Sequence, residues 1–161
     1  MTDDAVQGID PRTGRPTGEP IPFTARDDLD AIVASAAAAF EAWSATPAVG
    51  RAAALDLVAD RLDDGADKLV EIADAETGLG AVRLTSEVTR TSNQLRLFGE
   101  VLRDGCYVEA IVSPAKASAT PPRPDVRRML VPRGPVGVFQ NTSSPPETSP
   151  STRWHAAITV E

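Results

Sequence analysis

Apolar residues in the first part of the chain recur at helical intervals. Between Ala25 and Thr46 they follow three- and four-residue steps, which predicts an amphipathic helix. Thr24 and Asp27 stand at capping-box spacing, with Asp in place of the usual Glu or Gln, and Pro47 follows the predicted end. The resulting apolar stripe must pack against another surface. Its members are Leu29, Ile32, Val33, Ala36, Phe40 and Trp43.

Three further helices are predicted between Pro47 and Gly105. The first two are short, and Gly65 and Gly78 stand where they should stop. The last, over roughly 81–104, is the longest, and Gly105 follows it where a left-handed cap is wanted. The apolar positions are Leu55, Val58 and Leu62, then Leu69, Ile72 and Ala73, then Val88, Leu95, Phe98, Val101 and Leu102. We expect the stripe of the longest helix to pack on that of the first, with Phe40 and Phe98 both buried there.

The remaining segments favour strands or irregular structure. Residues 1–23 hold Pro and Gly at short intervals, which suits turns and short edge strands. Residues 106–112 and 126–131 are rich in β-branched residues and could pair as a hairpin across a Pro-rich link. Residues 135–139 predict a short buried strand. Residues 140–161 have no apolar period before "AAITV" and are typical of loop or disorder.

Composition and charge narrow the class of protein. The chain has 161 residues, suited to one domain, and only 4% of them are aromatic. Its net charge of −7 opposes binding to phosphate backbones, so nucleic acid is not expected as a partner. One Cys and one His fall short of a structural zinc site. Without a spanning apolar run or a signal-like N-terminus, a soluble cytoplasmic protein is expected, with no membrane partner.

Two residues are candidates for nucleophilic or acid–base chemistry. Cys106 lies at a predicted helix-to-strand junction, where it is either an incidental residue, which is favoured, or a reactive surface thiol. His155 has no Ser, Cys or carboxylate partner at a sensible spacing, so a solvated loop histidine is favoured.

Charged clusters allow a functional and a structural interpretation. Four arginines make a basic stretch that could bind phosphate or carboxylate, although solvated hairpin faces with ion pairs to residues such as "DDGAD" (63–67) are favoured. Glu76 and Arg83 could form an active-site pair, but a role in positioning one helix against the next is favoured. The four arginines are Arg123, Arg127, Arg128 and Arg133.

Several short motifs carry a family resemblance. Residues 76–110, together with "PRPDVRRMLVPRGPVGVF" (122–139), resemble the N-terminal part of aldehyde dehydrogenases. The likeness is greatest to the NADP-preferring branch that includes 2-oxoglutarate semialdehyde (2,5-dioxopentanoate) dehydrogenase. It covers roughly residues 5–139, about the first quarter to third of a full-length member. The matching groups are Glu76-Thr77-Gly78-Leu79, Arg83-Leu84, Arg90-Thr91 and Gln94-Leu95-Arg96.

The resemblance implies a fold class and a division of the chain. The class is α/β: an N-terminal fragment of an aldehyde dehydrogenase fold, with four helices, a β-hairpin and one incipient Rossmann-like strand. Residues 1–139 would be a truncated cofactor and oligomerisation region, and 140–161 a disordered tail foreign to the family. The strands within 106–133 would belong to an oligomerisation sheet, so a homo-oligomer through them is expected.

The resemblance also implies an activity, together with reasons why this chain lacks it. The family oxidises an aldehyde, here plausibly 2-oxoglutarate semialdehyde, to a carboxylic acid with NADP or NAD. Its thiolate nucleophile lies beyond residue 161, and Ser143 occupies the position of its oxyanion-hole Asn. We therefore assign no catalytic, cofactor-binding or metal-binding residue. The cofactor is not expected to bind this fragment. The sequence leaves open whether the chain acts as an enzyme.

The sequence after the 135–139 strand suggests an origin for such a fragment. We interpret the departure from the family near Phe139 as a frameshift, premature stop, deletion or gene-model error, which would leave an inactive fragment. "FQNT" weakly resembles a stretch near the far C-terminus of these enzymes, which would suit an internal deletion. The alternative is a small helical interaction module that binds a full-length relative through its hairpin strands.

Overall fold

The computed structural model describes residues 5–141 and 154–160, in which four consecutive helices are preceded by one antiparallel strand pair and followed by two. The predicted fold class is confirmed: four helices are accompanied by a hairpin and a further strand. The elements are β1 (Ala5–Ile9), β2 (Pro16–Pro22), α1 (Arg26–Ala45), α2 (Ala48–Asp64), α3 (Ala66–Thr77), α4 (Ala81–Asp104), β3 (Ile111–Ser113), β4 (Val126–Arg128), β5 (Pro135–Asn141) and β6 (Trp154–Val160).

All four predicted helices form within one or two residues of their expected ends. Gly78 and Gly105 terminate α3 and α4 in the left-handed region, with φ of 68° and 76°, as their predicted capping role requires. The predicted capping box at Thr24 is wrong, because the N-cap residue of α1 is Ala25 and no side chain caps that helix. Thr24 stands one residue before the position from which a hydroxyl reaches the first turn.

The predicted partner of α4 is also wrong. α4 packs along α2 and against α3, whereas α1 lies against the β5–β6 pair. Phe98 is 53% exposed, and Phe40 is half-buried rather than enclosed with it. The apolar side chains of α1 are correspondingly open to solvent, since Leu29, Ile32 and Val33 are 42% to 51% exposed.

Small side chains decide which helices meet. Where α2 and α4 cross, the buried small residues are Ala52 and Ala59 on α2 and Ser92 and Gly99 on α4. A Cβ at Gly99 would lie 3.0 Å from the Asp56 carboxylate and 3.5 Å from the Ala52 carbonyl oxygen. The Cβ would thus meet the backbone of α2 at an ordinary contact distance and the end of the Asp56 side chain more tightly, so little room remains at Gly99 for a larger side chain. We call these four residues, Ala52, Ala59, Ser92 and Gly99, the small-residue seam.

The hairpin predicted from residues 106–112 and 126–131 forms in a shorter version. β3 and β4 pair antiparallel, with Ile111 opposite Arg128 and Ser113 opposite Val126. Residues 106–108 form a 3₁₀ turn instead of strand, and Glu109, with a φ of 46°, turns the chain before β3 begins. Beyond β4, the Leu130 amide donates to the Val108 carbonyl at 2.8 Å, so that segment joins the turn rather than extending the strand.

The strand predicted at 135–139 is present as β5, but the prediction that it is buried is wrong for Pro135, Val136 and Gly137, which are exposed. The strand that pairs with it was not predicted. In the described residues β5 pairs antiparallel with β6, from Pro135 opposite Val160 to Asn141 opposite Trp154. The structure thus departs from the expected tail at 154–160, where the β-branched "AAITV" run meets an unpaired strand edge. Residues 142–153 lie outside the described part, so the division at 139/140 stays a prediction.

The fold covers little of its apolar surface. Of the apolar side chains in the described residues, only Ala52, Ala59 and Leu84 are buried, and many large ones, such as Val49, Val82 and Val131, are exposed. Within the described residues, no helix combines the length and apolarity that crossing a membrane requires.

Candidate functional site

Cys106, the candidate nucleophile, lies on the surface in the turn after α4. Its thiol is exposed and free, and its backbone amide donates to the Asp104 carboxylate at 3.4 Å. A hydrogen bond to Asp104 and the charge of that carboxylate raise the pKa of the thiol. Because the thiolate is the reactive form, this environment opposes nucleophilic chemistry at neutral pH.

Removing the Asp104 charge should make this thiol more reactive. In Asp104→Asn the pKa of Cys106 falls toward its ordinary value, so alkylation by iodoacetamide at pH 8 should be about two- to fivefold faster. Mass spectrometry of the alkylated chain over time measures the rate. Asp67→Asn, which removes a distant carboxylate on α3, is the control and should leave it unchanged. Equal rates in all three proteins would show that Asp104 does not govern the thiol.

The basic stretch is more dispersed than its sequence suggests. The Arg127 guanidinium lies 3.1 Å from Asp125, and Arg123 makes a backbone bridge to Lys116. The expected ion pairs from these arginines to residues 63–67 are wrong, because Asp63 binds Arg96 on α4 and Asp64 lies 4.0 Å from Arg61. Asp63 turns toward α4, away from the β3–β4 hairpin.

The remaining predicted residues lie on different elements of the fold. Glu76 lies in the last turn of α3 and Arg83 in the first turn of α4, so the role in helix positioning stays a prediction. His155 belongs to strand β6, so the prediction of a loop histidine is wrong, and its solvation stays a prediction. Ser143 lies outside the described residues.

A pair that the sequence analysis missed organises the junction between α3 and α4. Arg12, in the β1–β2 turn, donates to both Asp74 carboxylate oxygens at 2.8 and 3.0 Å and to the Asp74 carbonyl at 3.0 Å. The Gly80 amide, just before α4, donates to the same carboxylate at 2.8 Å. Arg12 and Gly80 hold the pKa of Asp74 below its usual range. We call this arrangement the Arg12–Asp74 clasp.

Two arginines of α4 cross the small-residue seam to acidic side chains of α2. Arg96 donates to Asp60 at 2.7 Å and to Asp63 at 2.8 Å, and Arg103 pairs with Asp56. The Ser92 hydroxyl and the Arg96 guanidinium lower the pKa of Asp63. A carboxylate with a lowered pKa stabilises the fold above about pH 3.9 and loses that contribution as the pH falls through its folded-state pKa.

An exposed side of α4 carries a shallow space of about 540 Å³ that is open to solvent and lined by residues of this helix alone. Arg90 is its cation, and it pairs with Glu87 through Nε at 2.9 Å and Nη2 at 2.7 Å. Leu97 supplies an apolar end. We call this surface the Arg90 face. Its polar lining residues are Thr85, Ser86, Thr89, Arg90, Asn93 and Gln94.

The described residues do not fit a dinucleotide or a metal ion. A Rossmann-type site lies at the carboxyl ends of parallel strands joined by helices, whereas every strand pair in residues 5–141 and 154–160 is antiparallel. "GPVGVF" also lacks the G-x-G-x-x-G phosphate motif. Among these residues, no cluster of three His, Cys, Asp or Glu side chains could hold a metal.

The helical architecture and the motifs on α3 and α4 define the class of protein. Residues 1–143 match the model of the aldehyde dehydrogenase family, and the chain belongs to that family. A relative from Azospirillum brasilense, alpha-ketoglutaric semialdehyde dehydrogenase 2, is 41% identical over 142 residues. An alpha-ketoglutaric semialdehyde dehydrogenase from Acinetobacter baylyi is 36% identical over 141 residues.

These matches concern the N-terminal part of the relatives. Each alignment covers 87% of this chain and 27% of the relative's length. The crystal structure of an NAD-dependent benzaldehyde dehydrogenase from Corynebacterium glutamicum superposes with a TM-score of 0.62 at 24% identity. That superposition covers 71% of this chain and 24% of the other, and it supports the fold.

Proposed function

We propose that residues 1–139 are the N-terminal part of an NAD(P)-dependent aldehyde dehydrogenase acting on 2-oxoglutarate semialdehyde. The observation that carries the proposal is the 41% identity to a dehydrogenase named for that substrate, over 87% of this chain. The reaction is oxidation of the aldehyde to the carboxylic acid. The chain spans about 27% of the length of that relative. The proposal includes that residues 1–139 do not catalyse the reaction by themselves.

Inactivity follows from the chemistry that aldehyde oxidation demands. A thiolate must attack the carbonyl carbon, donors must stabilise the oxyanion, and a base must activate water to hydrolyse the thioester. NAD(P) supplies the hydride acceptor when it is bound. Cys106 is not suited to be the attacking thiolate, because Asp104 raises the pKa of its thiol and the residue lies in an open surface turn.

The β3–β4 hairpin is proposed to take part in assembly of the whole protein, through residues 106–133. All six residues of these two strands are exposed, and each strand has one edge without a partner strand in the described part of the chain. The alternative function, a free-standing interaction module, has no support from the comparisons.

The purified chain should reduce no NADP or NAD with 2-oxoglutarate semialdehyde or with simple aliphatic aldehydes. Absorbance at 340 nm measures the reaction, and the intact Azospirillum brasilense relative serves as the positive control. Cys106→Ser, prepared identically, should behave as the parent does, which separates host contamination from real activity. Turnover in the parent that disappears in the variant would contradict both the inactivity and the interpretation of Cys106.

A further inference from the structure

We propose that the side chains of Arg51 and Tyr107 form a latch that sets the direction in which the β3–β4 hairpin projects from the helices. Arg51, near the start of α2, donates from Nη2 to the Tyr107 hydroxyl oxygen at 2.9 Å. Tyr107 belongs to the turn 106–108, through which the chain passes from α4 to the hairpin. This inference goes beyond the proposed function, because it concerns the position of the hairpin within this chain rather than catalysis. We call the contact the Arg51–Tyr107 latch.

The helical side of the latch is held in place before it reaches Tyr107. The Arg51 side chain is half-buried, and its Nη1 donates to the Thr46 carbonyl at 3.0 Å and to the Ser44 carbonyl at 3.4 Å. The last carbonyls of a helix have no partner within the helix, and the last turn of α1 carries no basic residue of its own. A guanidinium at this position satisfies those carbonyls and complements the helix dipole. The α1–α2 junction therefore fixes the Arg51 guanidinium.

The hairpin side of the latch has few other attachments. All six residues of β3 and β4 are exposed, and in the described part of the chain neither strand packs closely on a helix. Beyond β4, the Leu130 amide donates to the Val108 carbonyl at 2.8 Å, so both ends of the hairpin meet at the turn 106–108. That turn is tied to the end of α4 by a long hydrogen bond, from the Val108 amide to the Gly105 carbonyl at 3.3 Å. The position of the turn, and with it that of the hairpin, depends on Tyr107.

The internal pairing of the hairpin does not involve the latch. β3 and β4 pair with each other, and farther from the turn Lys116 and Arg123 exchange two backbone hydrogen bonds at 2.9 and 3.1 Å. None of these bonds uses the Tyr107 side chain. Opening the latch should therefore leave the hairpin folded while it moves as a unit about the turn. This separates control of direction from support of the hairpin fold.

Tyr107→Phe in the full chain tests the latch, since it removes the hydroxyl and keeps the ring. Residual dipolar couplings of the ¹⁵N-labelled parent should fit one alignment frame for the hairpin, α2 and α4. In the variant the couplings of the hairpin should shrink and leave that frame. Amide hydrogen exchange at Val108 should become about tenfold faster, as loss of a hydrogen bond to a charged group gives. The Lys116 and Arg123 amides should keep the exchange rates of the parent.

Arg51→Gln should produce the same change in the hairpin. The double variant should show no larger change than either single variant, because both substitutions remove one shared bond. Arg61→Gln is the matched control: it loses the same charge on α2, and its side chain is exposed with the Asp64 carboxylate 4.0 Å away. It should keep the couplings and exchange rates of the parent. Circular dichroism checks that every variant keeps its helices.

Three results would overturn the latch. Hairpin couplings in Tyr107→Phe that still share one frame with the helices would show that the hydroxyl does not set the direction. Exchange at Lys116 and Arg123 that accelerates as much as at Val108 would show that Tyr107 supports the fold of the hairpin instead. Effects that add in the double variant would show that the two residues act through separate contacts.

Discussion

Joining residues 1–139 of this chain to the part of the Azospirillum brasilense relative that follows its corresponding strand should create an active aldehyde dehydrogenase. The relative's segment brings the nucleophile and the cofactor site that the family resemblance places downstream. Turnover with 2-oxoglutarate semialdehyde and NADP should rise from undetectable to within about a hundredfold of the intact relative. That margin allows for small misplacements at the new junction, since about 1 Å of misplacement can cost a hundredfold in rate.

The relative's segment expressed alone is the control for that experiment. It should be inactive and poorly folded, because it lacks the four helices that this chain supplies. A joined protein that is well folded but shows no turnover, beside an active intact relative, would contradict the proposal that these residues can serve in such an enzyme.

Gly99→Leu should separate α2 from α4 and destabilise the full chain. A Cβ at this position already lies 3.0 Å from Asp56 and 3.5 Å from the Ala52 carbonyl, so a larger side chain must push the helices apart. Overpacking of this kind costs about 1–3 kcal/mol, or more where backbone must move. At roughly 2–4 °C per kcal/mol for a chain of this size, the thermal midpoint should fall by several degrees.

Ala53→Leu provides the matched control for Gly99→Leu, since Ala53 lies on the exposed side of α2 and offers room for the added carbons. The thermal unfolding midpoint of Ala53→Leu should stay within about one degree of that of the parent chain. The thermal midpoint of Gly99→Ala should fall between those of Gly99→Leu and Ala53→Leu. The added Cβ crowds the Asp56 carboxylate, whereas Ala stabilises a helix more than Gly does. A Gly99→Leu midpoint equal to that of Ala53→Leu would show that the helices are not held together at this crossing.

Helix ends could be predicted from the sequence because their causes are local. Gly78 and Gly105 stop α3 and α4 through their own backbone freedom, which depends on no distant residue. The partner of each helix could not be predicted in the same way. The large apolar side chains predicted that α1 packs against α4. In the structure α4 crosses α2 instead, at small residues that let the two helices approach closely.

A signal for that crossing is nevertheless present. Ala52 and Ala59 on α2, and Ser92 and Gly99 on α4, each stand seven residues apart, which places each pair on one side of its helix. A search for large apolar residues overlooks such pairs. The Arg12–Asp74 clasp carried no signal of its own, because neither residue is unusual until the fold brings them together. Arg90 and Gln94 of the Arg90 face belong to the family motifs in the sequence. That they lie on one side of α4 with the other residues of this face follows from the helix.

The Arg12–Asp74 clasp has a consequence for the order in which the chain acquires its shape during synthesis. Its two residues are 62 positions apart, so Arg12 leaves the ribosome long before its partner is made. The clasp can therefore form only after α3 has been translated and folded. Closing so long a loop carries an entropic cost that grows slowly with its length. This pair can therefore hold the β1–β2 arm in place only once both α3 and the residues around Gly80 have been synthesised.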